Sequence, residues 1–136
     1  MPRNTVEATV RWRHQLVFEG SVAGRPPLTI DGNSAAAISP VELLMAACAS
    51  CMGADIVGIL EKERVQLDVL GIDTVGTRRA DHPRRLTAVH FRVSVRGAGA
   101  DEPKLRRAVD LSLQKYCSVM ASLAPDIRVD YDVAIG

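Results

Sequence analysis

Aromatic residues are scarce in this chain: one tryptophan, two tyrosines and two phenylalanines make up 4% of 136 residues. That is too few for the stacking platforms that hold single-stranded nucleic acid. Charge of one sign is not in excess either. Seventeen Lys and Arg stand against sixteen Asp and Glu, a formal net charge of +1, which argues against nucleic acid or an acidic membrane as the partner. There is no repeat, linker or low-complexity tract. Met1–Asn4 leads straight into an alternating pattern, with no secretory signal. With an odd cysteine count of three, the expectation is reduced thiols in the cytoplasm rather than a disulfide framework. Long hydrophobic runs are also few. The one from Leu43 to Leu60 approaches membrane length, but Ser50, Asp55 and small residues within it predict a core helix and no membrane span.

What remains is ordinary globular composition, 47% hydrophobic and 24% charged, in a chain long enough for one domain over residues 1–136. Thr5 to Phe18 alternates, placing Val6, Ala8, Val10, Trp12, Leu16 and Phe18 on one side. This reads as a half-buried strand, or two strands bent at the middle. Glu19-Gly20 reads as a turn, Leu28–Asp31 as a short strand, and Gly32–Ile38 as a loop. Gln66–Arg79 and Leu86–Arg96 read as a hairpin. A bulge is expected near Leu70-Gly71, and Val89, Phe91, Val93 and Val95 point inward. A second helix is predicted over 102–123 with a stripe of Leu105, Val109, Leu113, Tyr116, Met120 and Leu123. Pro125 stops it, and Ile127–Ile135 closes the chain as a strand. The class is α+β, with mostly antiparallel sheets packed around two helices.

The predicted helix from Ser39 to Lys62 is the centre. Ser39 can cap it, Pro40 suits its first position and Glu42 completes an S-x-x-E capping box. Beyond Leu43 it is apolar on every face, the mark of a buried helix. One sheet can cover only one side, so the rest is expected to meet a second copy in an intertwined homodimer.

This helix carries Cys48 and Cys51, and the second carries Cys117. Buried cysteines are commonly inert small hydrophobes, and Cys48 is read that way. A redox C-x-x-C motif sits at a helix N-terminus, whereas this pair is mid-helix. Zinc would need a fourth ligand from His14, His82 or His90, and His90 faces outward. Asp55 is too costly to bury alone and needs a hydrogen-bond partner from another element, in this chain or in the second copy.

Ser39-Pro40-x-Glu42, Cys51 with Asp55 four positions on, and Lys115-Tyr116-Cys117-Ser118-Val119 together resemble the OsmC/Ohr family, closest to its YhfA-like branch. The resemblance covers nearly the whole chain. It implies a thiol-dependent peroxidase acting on organic hydroperoxides, with no metal or bound cofactor and an external dithiol as reductant. Cys51 matches the peroxidatic thiol and Cys117 the resolving one. Glu42 matches a glutamate that holds an activating arginine in the peroxidases. No motif carries that arginine over, and the peroxidases commonly place proline where this chain has Ser118. A second reading, a small-molecule-binding or thiol-sensing module on the same fold, follows from those two departures.

Two physical constraints bear on the site. Cys51 is expected roughly 16 Å from the start of its own helix, beyond reach of that helix's dipole, so a cation from elsewhere is predicted to acidify it. Glu42 lies roughly 13 Å from Cys51 along the same helix and about half a turn round. Glu42 therefore either completes the cap or acts on a thiol across a dimer interface.

Overall fold

The structure is a computed structural model, and it describes residues 4–136. The chain forms two compact units, Met1–Leu44 and Met45–Gly136.

In the first unit, β1 (Thr9–His14), β2 (Val17–Ser21) and β3 (Leu28–Asp31) form an antiparallel sheet in that order. The long alternation is thus two strands, reversing at Gln15-Leu16. Gln15 takes a positive φ of 47°, and its carbonyl accepts from Trp12 Nε1 at 2.8 Å. Glu19-Gly20 is no turn: it lies within β2, paired with Arg11 and Val10. The face expected to be half-buried is open, with Val10 59% and Trp12 66% exposed. Alternation marks which residues share a face, and says nothing about whether anything covers it. After β3, buried Asp31 accepts the N–H groups of Asn33 (2.8 Å) and Ala36 (2.9 Å). These bonds, Ala36's foremost, lower its pKa and fold the loop that precedes the long helix.

That helix, α1 (Pro40–Lys62), has the predicted bounds. In the second unit it buries Cys48, Met52, Ile56 and Leu60, each one turn apart. Gly53 lets it approach the sheet, where an added Cβ would touch Ile72 at 3.5 Å. Burial on every face is not what a single chain achieves. Ala46, Ser50, Ala54, Val57 and Gly58 remain exposed along the opposite side.

The second sheet has order β4-β5-β6. The predicted hairpin forms from β4 (Gln66–Arg78) and β5 (Leu86–Ala98), with Val89, Phe91, Val93 and Val95 buried on one face. The bulge lies between Leu67 and Val69, earlier than Leu70-Gly71. The glycine that permits it is on the partner strand. A Cβ on Gly97 would stand 2.1 Å from the Gln66 carbonyl oxygen, whereas Gly71 pairs regularly with Ser94. β6 (Arg128–Ile135) joins the other edge of β5 and runs parallel to it. A helical crossover between them makes that direction possible. The other strand pairings are antiparallel.

The crossover is the main departure from the predicted single helix over 102–123. α2 (Glu102–Leu111) starts as expected, with Asp101 accepting the Lys104 N–H at 2.9 Å, and buries Leu105, Ala108 and Val109. It then widens into a π-helical segment, Ser112–Tyr116. Cys117 is extended (φ −74°, ψ 100°), and α3 (Ser118–Ala121) follows as one short turn. The shift in phase leaves Tyr116 51% exposed rather than in the core stripe. The molecule is α+β, with two three-stranded sheets and a long central helix.

Candidate functional site

All three cysteines are free thiols; Cys48 and Cys117 are buried and Cys51 is half-buried. Their environments differ sharply. Cys48 faces the core of the second unit, where burial first, then proximity to Cys51, raises its pKa. It packs as a small hydrophobe, as its position on the helix suggested.

Cys51 meets the joint between the π-helical segment and α3. The first amides of a helix have no partner within it. Here the Val119 N–H is the strongest influence on the Cys51 thiol, lowering its pKa from the ordinary 9.0. Burial, the next largest influence, opposes it, while the Cys117 thiol and the Ser118 hydroxyl and N–H add to the lowering. Ser118 Oγ lies 4.0 Å from Cys51 Sγ. None of these groups is a charged side chain. Within this chain, hydrogen-bond donors at a second helix start act on the Cys51 thiol. No residue pattern announced the helix break opposite Cys51.

Cys117 titrates the other way. Burial, with Cys51 beside it, pushes its thiol up to about 11. One member of the pair is thus stabilised as thiolate while the other remains a thiol that can donate to it.

Asp55 finds its partner in the same chain. Ser112, fully buried, donates from Oγ to Asp55 Oδ2 at 2.8 Å. The Ser112 carbonyl accepts the Cys117 N–H at 2.8 Å, across the π turn. Ser112 was overlooked in the sequence. Its signal was a polar residue inside the apolar stripe between Val109 and Leu113.

Glu42 belongs to the first unit. Its N–H donates to Ser39 Oγ at 3.2 Å, and its Oε1 accepts the Ser39 N–H at 2.9 Å. The capping box is therefore complete in both directions. The Ser34 hydroxyl also donates to Glu42 Oε1, and this bond leads in lowering the carboxyl pKa, followed by Ser39. Ser34 is a further residue that the sequence pattern did not single out.

Comparison with known proteins bears on the family and the fold. The family described as OsmC-like protein matches residues 31–132. Protein YhfA of Escherichia coli strain K12 is 32% identical over 131 residues, 96% of this chain and 98% of that protein. An OsmC-like protein from Mycoplasma pneumoniae superposes with a TM-score of 0.83 at 13% identity, covering 97% of both chains. The organic hydroperoxide resistance protein OhrB of Bacillus subtilis superposes with a TM-score of 0.64 at 14% identity, covering 96% of this chain and 98% of that one. The two structural likenesses concern the fold alone. The family match and the likeness to YhfA, each over most of the chain, carry the conclusion: this chain belongs to the OsmC-like family.

Proposed function

We propose that this protein is a cysteine-based peroxidase that reduces organic hydroperoxides, with Cys51 as nucleophile and Cys117 as resolving thiol. The observation that carries the reading is the pair of adjacent free thiols with pKa values moved in opposite directions. The Cys51 thiolate attacks the terminal peroxide oxygen, the O–O bond breaks, and the alkoxide takes a proton and leaves as alcohol. Cys51 is then a sulfenic acid. Cys117 gives up its proton and attacks that sulfur, expelling water and forming a disulfide. An external dithiol supplies two electrons and two protons to restore both thiols. The chemistry requires a compartment that keeps thiols reduced, so the cytoplasm is the proposed location.

The chain is proposed to act as one domain within a homodimer, its exposed α1 stripe of small residues covered by the second copy. In that assembly Glu42, besides capping its own helix, serves the thiol of the other copy.

The test is consumption of cumene hydroperoxide with dithiothreitol. Cys51→Ser should abolish it, and Cys117→Ser should accumulate sulfenic or over-oxidised Cys51, read by mass spectrometry. Absence of turnover with any dithiol overturns the enzyme. For Glu42, mixed dimers of Glu42→Ala and Cys51→Ser subunits should recover activity that neither parent has.

A second reading draws on the lack of a charged side chain among the groups acidifying Cys51 and on Ser118 in place of proline. The protein would then be a small-molecule-binding or thiol-sensing module. That reading predicts ligand-dependent thermal stabilisation that survives Cys51→Ser.

A further inference from the structure

A π turn accommodates one residue more than the regular helix and has poorer hydrogen bonding, so it is rare and tends to coincide with function. The one at Ser112–Tyr116 changes which side chains share a side. In a regular α-helix, residues five apart point about 140° from each other. Across the π turn, Ser112 and Cys117 both address α1, Ser112 through Asp55 and Cys117 through Cys51. On α1 the two receiving residues are one turn apart and therefore on one face. Two crossbars thus join the same pair of elements. Ser112 is held at both ends, its hydroxyl on Asp55 Oδ2 and its carbonyl on the Cys117 N–H.

We propose that Asp55, acting through Ser112, is a positioning residue for the thiol pair: their hydrogen bond fixes the π turn whose end presents Cys117 and the Ser118 and Val119 amides to Cys51. The inference rests on the reading of Cys51 as the reactive thiol. Without the Ser112 anchor, a regular helix through 112–117 restores ordinary bonding, rotates Cys117 away and closes the amides into the helix. Cys51 then loses its strongest donors.

Charge alone predicts the opposite sign. Among the described residues, Cys48 on α1 and Cys117 at the joint act on or with the Cys51 thiol, and Asp55 lies one turn further along α1. From the sheet, apolar Leu70 and Ile72 approach Gly53. A carboxylate near a thiolate disfavours the anion, so deleting Asp55 by electrostatics alone would make Cys51 more acidic. Deleting it as a positioning residue makes Cys51 less acidic.

The experiment follows Cys51 alkylation by iodoacetamide against pH, resolved by peptide mass spectrometry, in the full chain and in Asp55→Ala, Asp55→Asn and Ser112→Ala. It also follows the rate of Cys51–Cys117 disulfide formation with diamide. Circular dichroism identifies the variants that fold; Ser112→Ala, which loses a single hydroxyl, keeps the test available if Asp55→Ala does not. Asp55→Ala and Ser112→Ala should move the alkylation midpoint upward, slow alkylation about tenfold at neutral pH and slow disulfide formation about tenfold. Asp55→Asn keeps an acceptor for Ser112 and should retain wild-type behaviour. A midpoint unchanged or lowered in folded Asp55→Ala and Ser112→Ala overturns the positioning role. An ordinary midpoint in the wild type would instead overturn the reading of Cys51, and the disulfide rates would still decide the role of Asp55.

Discussion

Cys51 and Cys117 are chemically identical residues whose surroundings move their acidities in opposite directions. Cys51 is lowered chiefly by the Val119 amide, while Cys117 is raised chiefly by burial. The same shifts act on stability, with opposite signs. The folded state favours the Cys51 thiolate, so its contribution is present above the unfolded thiol pKa and lost as pH falls through the lowered value. For Cys117 the contribution is intact below the unfolded pKa and lost as pH rises toward about 11. Relative to Cys51→Ser, the wild type should therefore gain melting temperature as pH rises toward the ordinary thiol value of 9.0. A separate residue-scale prediction concerns His90. Asp130 at 2.6 Å from Nδ1, with Asp132 further off, raises its pKa. The raised value means that this pair stabilises below the ordinary histidine pKa and fades as pH rises through the folded one. Thermal melts of Asp130→Asn should differ from wild type at mildly acidic pH and converge in mildly alkaline buffer.

Elements were the most legible level. Proline and a capping serine fixed the start of α1, and both directions of its capping box formed as the S-x-x-E pattern requires. Ser39→Ala should cost about 1 kcal/mol in urea denaturation. The alternation of Val89, Phe91, Val93 and Val95 carried through to the buried face of β5. Two things were illegible. The turn at Gln15-Leu16 has no glycine or asparagine to announce its positive φ, so the alternating pattern ran through it. The break at Cys117 has no proline or glycine to announce it, and Asp55, which meets Ser112 at the start of the π turn, is remote in sequence. The bulge in β4 shows the same limit, since its permissive glycine is on β5. Gly97→Ala must displace the Gln66 carbonyl and should lose about 2–4 kcal/mol of stability, measured by urea denaturation.

At the scale of the whole molecule, the sequence identified α1 as apolar all round, and the single chain covers only one of its sides. Ala46, Ser50, Ala54, Val57 and Gly58 are small enough for another helix to come close. The expected consequence is a dimer in sedimentation equilibrium. Ala54→Glu, which places a charge in the middle of the stripe, should shift it toward monomer without unfolding the chain. A monomeric wild type would remove the proposed role of Glu42 at a second copy's thiol and leave the Cys51–Cys117 chemistry standing. Family membership was legible because three short motifs fell in the right order. The candidate site was legible in its two thiols; Ser112 was signalled only as a polar residue in an apolar stripe, and Val119 contributes a backbone N–H that no residue type encodes.

The joint at Cys117 also divides labour along the crossover. α2 buries Leu105, Ala108 and Val109, whereas α3 buries none of its residues. Changes in α2 are therefore constrained by packing, and changes in α3 are nearly free of it. Related proteins could vary the acidity of the thiol at this position by altering only the few residues after the joint, leaving the scaffold untouched. An engineer could do the same: a series at Ser118 would make a dial for thiol acidity that turns without loosening the fold.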